Sequence, residues 1–157
     1  MIAIKVDNLA SVEKDLTDLN KDVRSGAQRT LGEVGRFVQS EAKVRCPVSP
    51  TKAQAQTDQD YRYDKTKSPN ELTNSIESDL GRDYVDVGVL HGNATQYAAV
   101  IHDGFGTRWK KLGPGSTAKG GKVGPKFVDR AYDDNKREID RKFDKSVDIA
   151  IVRFNAN

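Results

Sequence analysis

The stretch SVEKDLTDLNKDVRSGAQRTLGEVGRFVQSEAKV, Ser11 to Val44, decides the fold. With Leu9 just ahead of it, its apolar residues Val12, Leu16, Leu19, Val23, Ala27, Leu31, Val34, Val38 and Ala42 recur at spacings of three and four. That period places them on one face of a single amphipathic helix. From Ser11 to Val44 such a helix is roughly 50 Å long, more than the width of a small domain. Asn8 or Ser11 can cap its start, and Cys46-Pro47 ends it, because proline cannot continue a helix and restrains the residue before it. Gly26, Gly32 and Gly35 are positions where the helix can bend or divide. The small residues Ala27, Gly32 and Gly35 favour close packing on a sheet or sister helix over a uniform coiled-coil seam.

Outward from this helix, Ile2, Ile4 and Val6 alternate with Ala3, Lys5 and Asp7, the pattern of a short half-buried strand. Beyond the helix, residues 46–70 read as an exposed arm rich in Thr, Gln, Asp, Lys and Pro, with Tyr61 and Tyr63 its large aromatic groups. The arm is either anchored on a partner through Tyr61, Arg62 and Tyr63 or a disordered insertion. Leu72–Asp79 and Tyr84–Leu90 read as paired strands joined at Gly81. The Gly92-Asn93 turn leads to a short helix, Thr95–Asp103, ended by Gly104. A last helix starts at Pro125 and runs to about Arg153, with Phe127, Ala131, Ile139, Phe143, Val147, Ile151 and Phe154 on its inner face and Asn135 turned inward. Val147 to Phe154 also alternates as a strand would. The expectation is one α+β domain over residues 1–157: a long N-terminal helix and a C-terminal helix packed on a small, mostly antiparallel sheet, with two long extended loops.

The second loop, residues 104–125, is basic and glycine-rich. From Arg108 to Lys126 the chain carries six basic residues and no acidic one, set among Gly113, Gly115, Gly120, Gly121 and Gly124. Ordering so much glycine costs backbone entropy with little apolar surface to offset it, so the loop is expected to be mobile or held by a partner. Elsewhere the charge is balanced: residues 1–45 carry eight basic and seven acidic side chains, and residues 126–157 carry the same numbers. The net charge of +3 therefore does not mark a folded basic face of the kind that binds nucleic acid. Hydrophobic residues make up only 36% and charged residues 31%. A core this thin points to burial completed against copies of the chain or neighbours, or else to an extended monomer with mobile loops. No run approaches the length of a membrane span and the first residues lack the pattern of a signal peptide, so a soluble chain made in a cytoplasm is expected.

Catalytic and metal motifs are not expected. Gly121-Lys122 is followed by Val123 rather than Ser or Thr, which breaks the phosphate-loop pattern. Cys46 is the single cysteine and His91 and His102 the two histidines, too few for a disulfide framework or a zinc centre. His102-Asp103 resembles an acid–base pair but has no nucleophile placed in sequence to complete it. Cys46, between Arg45 and Pro47, reads as a half-buried helix-end residue. Trp109 among Arg108, Lys110 and Lys111 is the most interface-like residue, the alternative being a tryptophan folded over its own sheet. The candidate contact residues are Tyr61, Tyr63, Arg108, Trp109, Lys110, Lys111, Lys119 and Lys122; no cofactor is expected.

Four short phrases carry a resemblance: Cys46-Pro47-Val48 with Leu72-Thr73-Asn74-Ser75-Ile76; Val85-Asp86-Val87-Gly88; Tyr97-Ala98-Ala99-Val100-Ile101-His102-Asp103-Gly104; and Gly124-Pro125-Lys126-Phe127-Val128 with Ala131. In this order, after a long helix, they resemble the head-to-tail joining family of tailed bacteriophages, whose members are minor tail, tail-completion or neck proteins. His102 stands where that family usually has a glutamate, and Gly106-Thr107 lies two residues late. The resemblance implies a non-catalytic virion protein assembled in the host cytoplasm, forming a homo-oligomeric ring at the neck, six-fold in preference to twelve-fold. Connector or tail-tube proteins would be its neighbours, with DNA passing through the lumen unbound and no membrane involved. A tail terminator ring capping the tail tube is the alternative within that resemblance. From the residues themselves, a small nucleic-acid-binding module using residues 108–126 is the other.

Overall fold

The computed structural model describes residues 9–48, 70–103, Ser116, Lys119 and 123–156. The N-terminal strand expected at Ile2–Val6 lies outside them, as do Tyr61, Tyr63, Arg108, Trp109, Lys110, Lys111 and Lys122. The expected α+β architecture is present. A long helix, α1 (Leu9–Arg45), is followed by a helical turn α2 (Glu71–Asn74), strands β1 (Ile76–Leu80) and β2 (Val85–Val89), a short helix α3 (Thr95–His102), and helices α4 (Phe127–Asp133) and α5 (Lys136–Asn155).

The 37 residues of α1 form one unbroken helix about 55 Å long. Its glycines do not divide it; they admit neighbours. A Cβ on Gly35 would lie 2.4 Å from a methyl of Val85, and one on Gly26 would lie 2.8 Å from Ser146 Oγ. The stripe is buried only in its second half, where Val34, Val38, Ala42 and Cys46 join Leu72, Ile76, Ala94, Ala98, Phe127, Ala131 and Ile139 in one core. Each large side chain so covered contributes roughly 1.5–3 kcal/mol. Toward the amino end the same stripe emerges into solvent, and Leu16 is 57% exposed.

β1 and β2 pair antiparallel, with Ile76 opposite Val89 and Leu80 opposite Val85. Gln39 ties this hairpin to α1: its Nε2 donates to Ile76 O at 2.9 Å, and its Oε1 accepts from Ser78 Oγ at 3.2 Å. Residues Leu72–Asn74, expected as strand, are helical. Leu72 and Ile76 suit either period, and the backbone bond from Ser75 N to Glu71 O, reinforced by Ser75 Oγ on the same carbonyl, selects the helical turn. The Gly92 turn is where the sequence places it, at φ +86°, which glycine adopts without strain.

The single last helix expected from Pro125 is two. Asn135 divides it: its side-chain Nδ2 donates to Ala131 O at 2.8 Å and its backbone carbonyl opens the next helix by accepting from Ile139 N. Val147–Phe154 is helical, not strand. The inner face of α5 also differs from expectation. Val147 and Ile151 are exposed, while Ala150 is buried and Ser146 faces Gly26. Where two helices cross closely, the small residues go inside and the large ones flank the crossing.

Candidate functional site

The carboxyl end of α1 is where the described parts of both long loops converge. Arg45, 1% exposed, anchors it. Its Nη1 donates to the Glu41 carboxylate one turn earlier, and its Nη2 donates to Asp134 Oδ2 at 3.1 Å across the domain. Burial alone would push the guanidinium's pKa down; the hydrogen bonds it donates to Glu41 and Asp134, together with the charge of those carboxylates, outweigh it and hold the pKa above its ordinary value. The arrangement ties the end of α1 to the break between α4 and α5.

Loop residues then fasten to the exposed carbonyls that every helix leaves at its last turn. Lys119 Nζ donates to Lys43 O and Cys46 O, both at 3.0 Å, and stands 3.4 Å from Thr73 Oγ1. Gly124 N donates to Arg45 O at 3.1 Å. Ser116, fully enclosed, takes the first residues of the arm: its Oγ accepts from Val48 N at 2.8 Å and donates to Val48 O at 3.3 Å. The basic loop therefore does not wait wholly on a partner. Its residues 116, 119, 123 and 124 hold the root of the arm to the helix, with Val123 buried beside them.

Cys46 is buried in this root rather than half-buried. Burial pushes its thiol up, against the weaker pull of a hydrogen bond with Thr73 and the charge of Lys119. Burial likewise pushes the Lys119 ammonium down, with Cys46 opposing. A thiol held protonated is a poor nucleophile, so its chemistry is packing.

His102 closes α3 beside the same region. Its Nδ1 lies 3.1 Å from Asp103 Oδ1 and its Nε2 lies 3.5 Å from Asp129 Oδ1, with its ring edge-on to Phe127 at 5.1 Å. Lys126, in the left-handed region at φ 52°, turns the chain so that its N–H donates to His102 O. The imidazole thus lies between two carboxylates, within hydrogen-bond distance of Asp103 at Nδ1 but without a hydrogen bond at Nε2 among the described residues, while Cys46 pairs with Thr73 and Lys119 instead. Among the described residues no three His, Cys, Asp or Glu side chains gather closely enough to hold a metal ion.

Of the expected contact residues, Lys119 is the one within the described set, and its ammonium is committed inward to the helix end. The sequence reading missed Arg45, Ser116 and Gln39 as organising residues. Arg45 was findable, standing four residues after Glu41 in the last helical turn. Ser116 carries no local signal. Among the described residues no helix is long and apolar enough to cross a membrane. No family model, curated protein or solved structure matches this chain.

Proposed function

We propose that this chain is a structural protein of a tailed-phage virion, one subunit of a ring at the neck that joins head to tail. The observation that supports this most is the order of elements. A long helix, a strand carrying Val85-Asp86-Val87-Gly88 and a closing helical segment after Pro125 follow one another in the order the resemblance implies, and Val48, Ser116 and Lys119, at the described ends of the arm and the basic loop, share a root at one end of α1. In this reading the helices and hairpin form a wedge of the ring. The arm and loop, with Tyr61, Tyr63, Arg108, Trp109, Lys110, Lys111 and Lys122, reach the neighbouring ring, while Lys119 secures their base. The role is geometric, with no catalytic step and no specific hold on the DNA in the lumen.

The test is joining of purified heads and tails with a Trp109→Ala protein. Secondary structure unchanged and joining lost is the expected result, with about 2 kcal/mol or more removed from docking. Normal joining combined with a destabilised fold would place Trp109 in its own core and remove the loop from the docking surface.

A further inference from the structure

Helix α5 runs antiparallel to α1, with Ile139 near Val34 and Val38, and Ser146 beside Gly26. Nine residues after Ser146 carry α5 about 14 Å further, level with about residue 17 of α1. The amino-terminal tip of α1 therefore projects past its own partner helix. Ser11 and residues 13–18 are all exposed, Leu16 among them in line with the buried Val34. One flank of this tip is acidic, because Asp15, Asp18 and Asp22 recur at spacings of three and four. Over residues 11–22 the carboxylates Glu13, Asp15, Asp18 and Asp22 outnumber Lys14 and Lys21. Asp18 and Lys21 pair at 3.3 Å, both largely in water, a contact weak enough to be exchanged.

On the flank of the same two helices lies a cleft of about 320 Å³. Arg29 of α1 and Lys142, Lys145 and Arg153 of α5 line it, against Asp22 and Glu33. Lys142 also stands over the Phe37 ring at 5.7 Å. Among the described residues Arg29, Lys145 and Arg153 form no ion pair. Between these charges Ile149, 45% exposed, and Ala150 add apolar surface beside the polar Ser25, Thr30 and Ser146. The cleft thus offers a small apolar strip at Ile149 and Ala150 beside Lys145 and Arg153, and the tip offers a leucine beside an acidic flank.

We propose that this cleft seats the projecting tip of α1 from a second copy of the chain. Leu16 and Leu19 lie on Ile149 and Ala150, while Asp15 and Asp18 meet Lys145 and Arg153. Donor and acceptor are different surfaces, so the contact closes either reciprocally, as a two-fold pair, or head to tail, propagating from subunit to subunit until a ring forms. It deepens the ring reading by naming the subunit contact, and rests on that reading only for the claim that closure gives a ring.

The experiment is sedimentation velocity of the full chain over a concentration series at low and high salt. The parent is expected to assemble, less so as salt rises. Leu16→Asp and, separately, the pair Lys145→Glu and Arg153→Glu are expected to raise the concentration needed for assembly at least about ten-fold, with far-UV circular dichroism and melting of the monomer unchanged. Adding Asp15→Lys and Asp18→Lys to the reversed cleft is expected to restore assembly, a result that nonspecific loss of fold would not give. The proposal is overturned if the parent stays monomeric throughout, if both variants assemble like the parent, or if the charge swap restores nothing. It is also overturned if the cleft reversal leaves assembly intact but abolishes retention on duplex DNA. Head-to-tail joining separates the two readings. Normal assembly of the variants with joining lost in Trp109→Ala sinks this contact alone. Disassembly by Leu16→Asp with joining untouched sinks the neck role and leaves this contact standing.

Discussion

Replacing Gly35 with Ala tests how closely α1 and the hairpin meet. The added Cβ would lie 2.4 Å from Val85 Cγ2 and 3.4 Å from Ser78 Cβ, where an ordinary carbon contact is about 3.5–4.0 Å. Either β2 recedes by more than about 1 Å or Val85 leaves its rotamer, the latter at about 0.5–1.5 kcal/mol. Recession is restricted: Val85 is paired with Leu80, and Gly81 N donates to Tyr84 O to close the turn between them. Alanine returns about 1 kcal/mol of helix propensity, and overpacking costs about 1–3 kcal/mol. The expected outcome is a net loss of up to about 2 kcal/mol, read as a lower urea midpoint at unchanged slope. Gly26→Ala is the internal control. Its Cβ is too close only to Ser146 Oγ, the end of a side chain that can rotate away, and meets Ser146 O at an ordinary 3.7 Å, so the propensity gain survives and stability stays level or rises by up to about 1 kcal/mol. Adding Val85→Ala to Gly35→Ala is expected to cost less than the two changes separately, because the first makes room for the second. A Gly35→Ala protein as stable as the parent, with Gly26→Ala the weakened one, would refute the close approach of helix and hairpin.

Val34→Asp buries an unpaired carboxylate in the core and is expected to cost 3 kcal/mol or more, leaving no cooperative transition in urea, whereas Leu16→Asp on the same stripe leaves the monomer's midpoint unchanged. Lys119→Met strips the bonds to Lys43 O and Cys46 O and is expected to cost about 2 kcal/mol, with faster amide exchange at Val48; full protection there would show that the ammonium does not hold the root. Cys46 sets an alkaline slope. Its folded pKa is raised, so above the ordinary thiol value of about 8.5 the unfolded chain releases a proton the folded chain keeps, and stability falls by up to about 1.4 kcal/mol per pH unit. Lys119 acts oppositely, since its folded pKa is lowered and stability returns as pH climbs from that value to about 10.4. Cys46→Ala should therefore remove the falling limb of the stability–pH curve, and a curve of unchanged shape would contradict the burial of that thiol.

How much of this was legible in the sequence depended on whether a signal was local. The period of α1 was, to within two residues at its start and one at its end, because ten apolar positions repeat it. The stop at Cys46-Pro47, the hairpin with its Gly81 turn and the Gly92 turn were legible for the same reason. Two errors have separate causes: on α5 apolar size was taken as a marker of the inside, and at Leu72 to Ile76 one of two equally good periods was chosen. On α5 the inside is Ser146 and Ala150, because Gly26 brings the helices too close for valine or isoleucine. At Leu72 to Ile76 the residues fit period two and period four equally, and only the hydrogen bonds of Ser75 distinguish them. The root of the loops was hidden further. Ser116 binds Val48 across 68 residues and Lys119 binds Cys46 across 73, partners that no spacing rule connects.

The two halves of α1 pose one physical question. The stripe that makes the core from Val34 to Ala42 continues through Val23, Leu19 and Leu16, yet the domain covers it only partly there. A few turns of helix extending into water are not stable by propensity alone, since helices shorter than about 12–15 residues are marginal when isolated. The tip is helical because the buried half nucleates it, and extension from an existing helix avoids the nucleation cost. That leaves Leu16 exposed on an ordered scaffold whose conformational entropy has already been lost. Covering it gains the full hydrophobic contribution, about 1.5 kcal/mol or more for a leucine, with little further ordering to set against it. A rigid helix tip carrying an apolar stripe and an acidic flank is therefore preorganised for association in a way that a glycine-rich loop is not. The proposed subunit contact therefore sits on the exposed end of α1, away from the end at Arg45 where Val48, Ser116 and Lys119 are rooted.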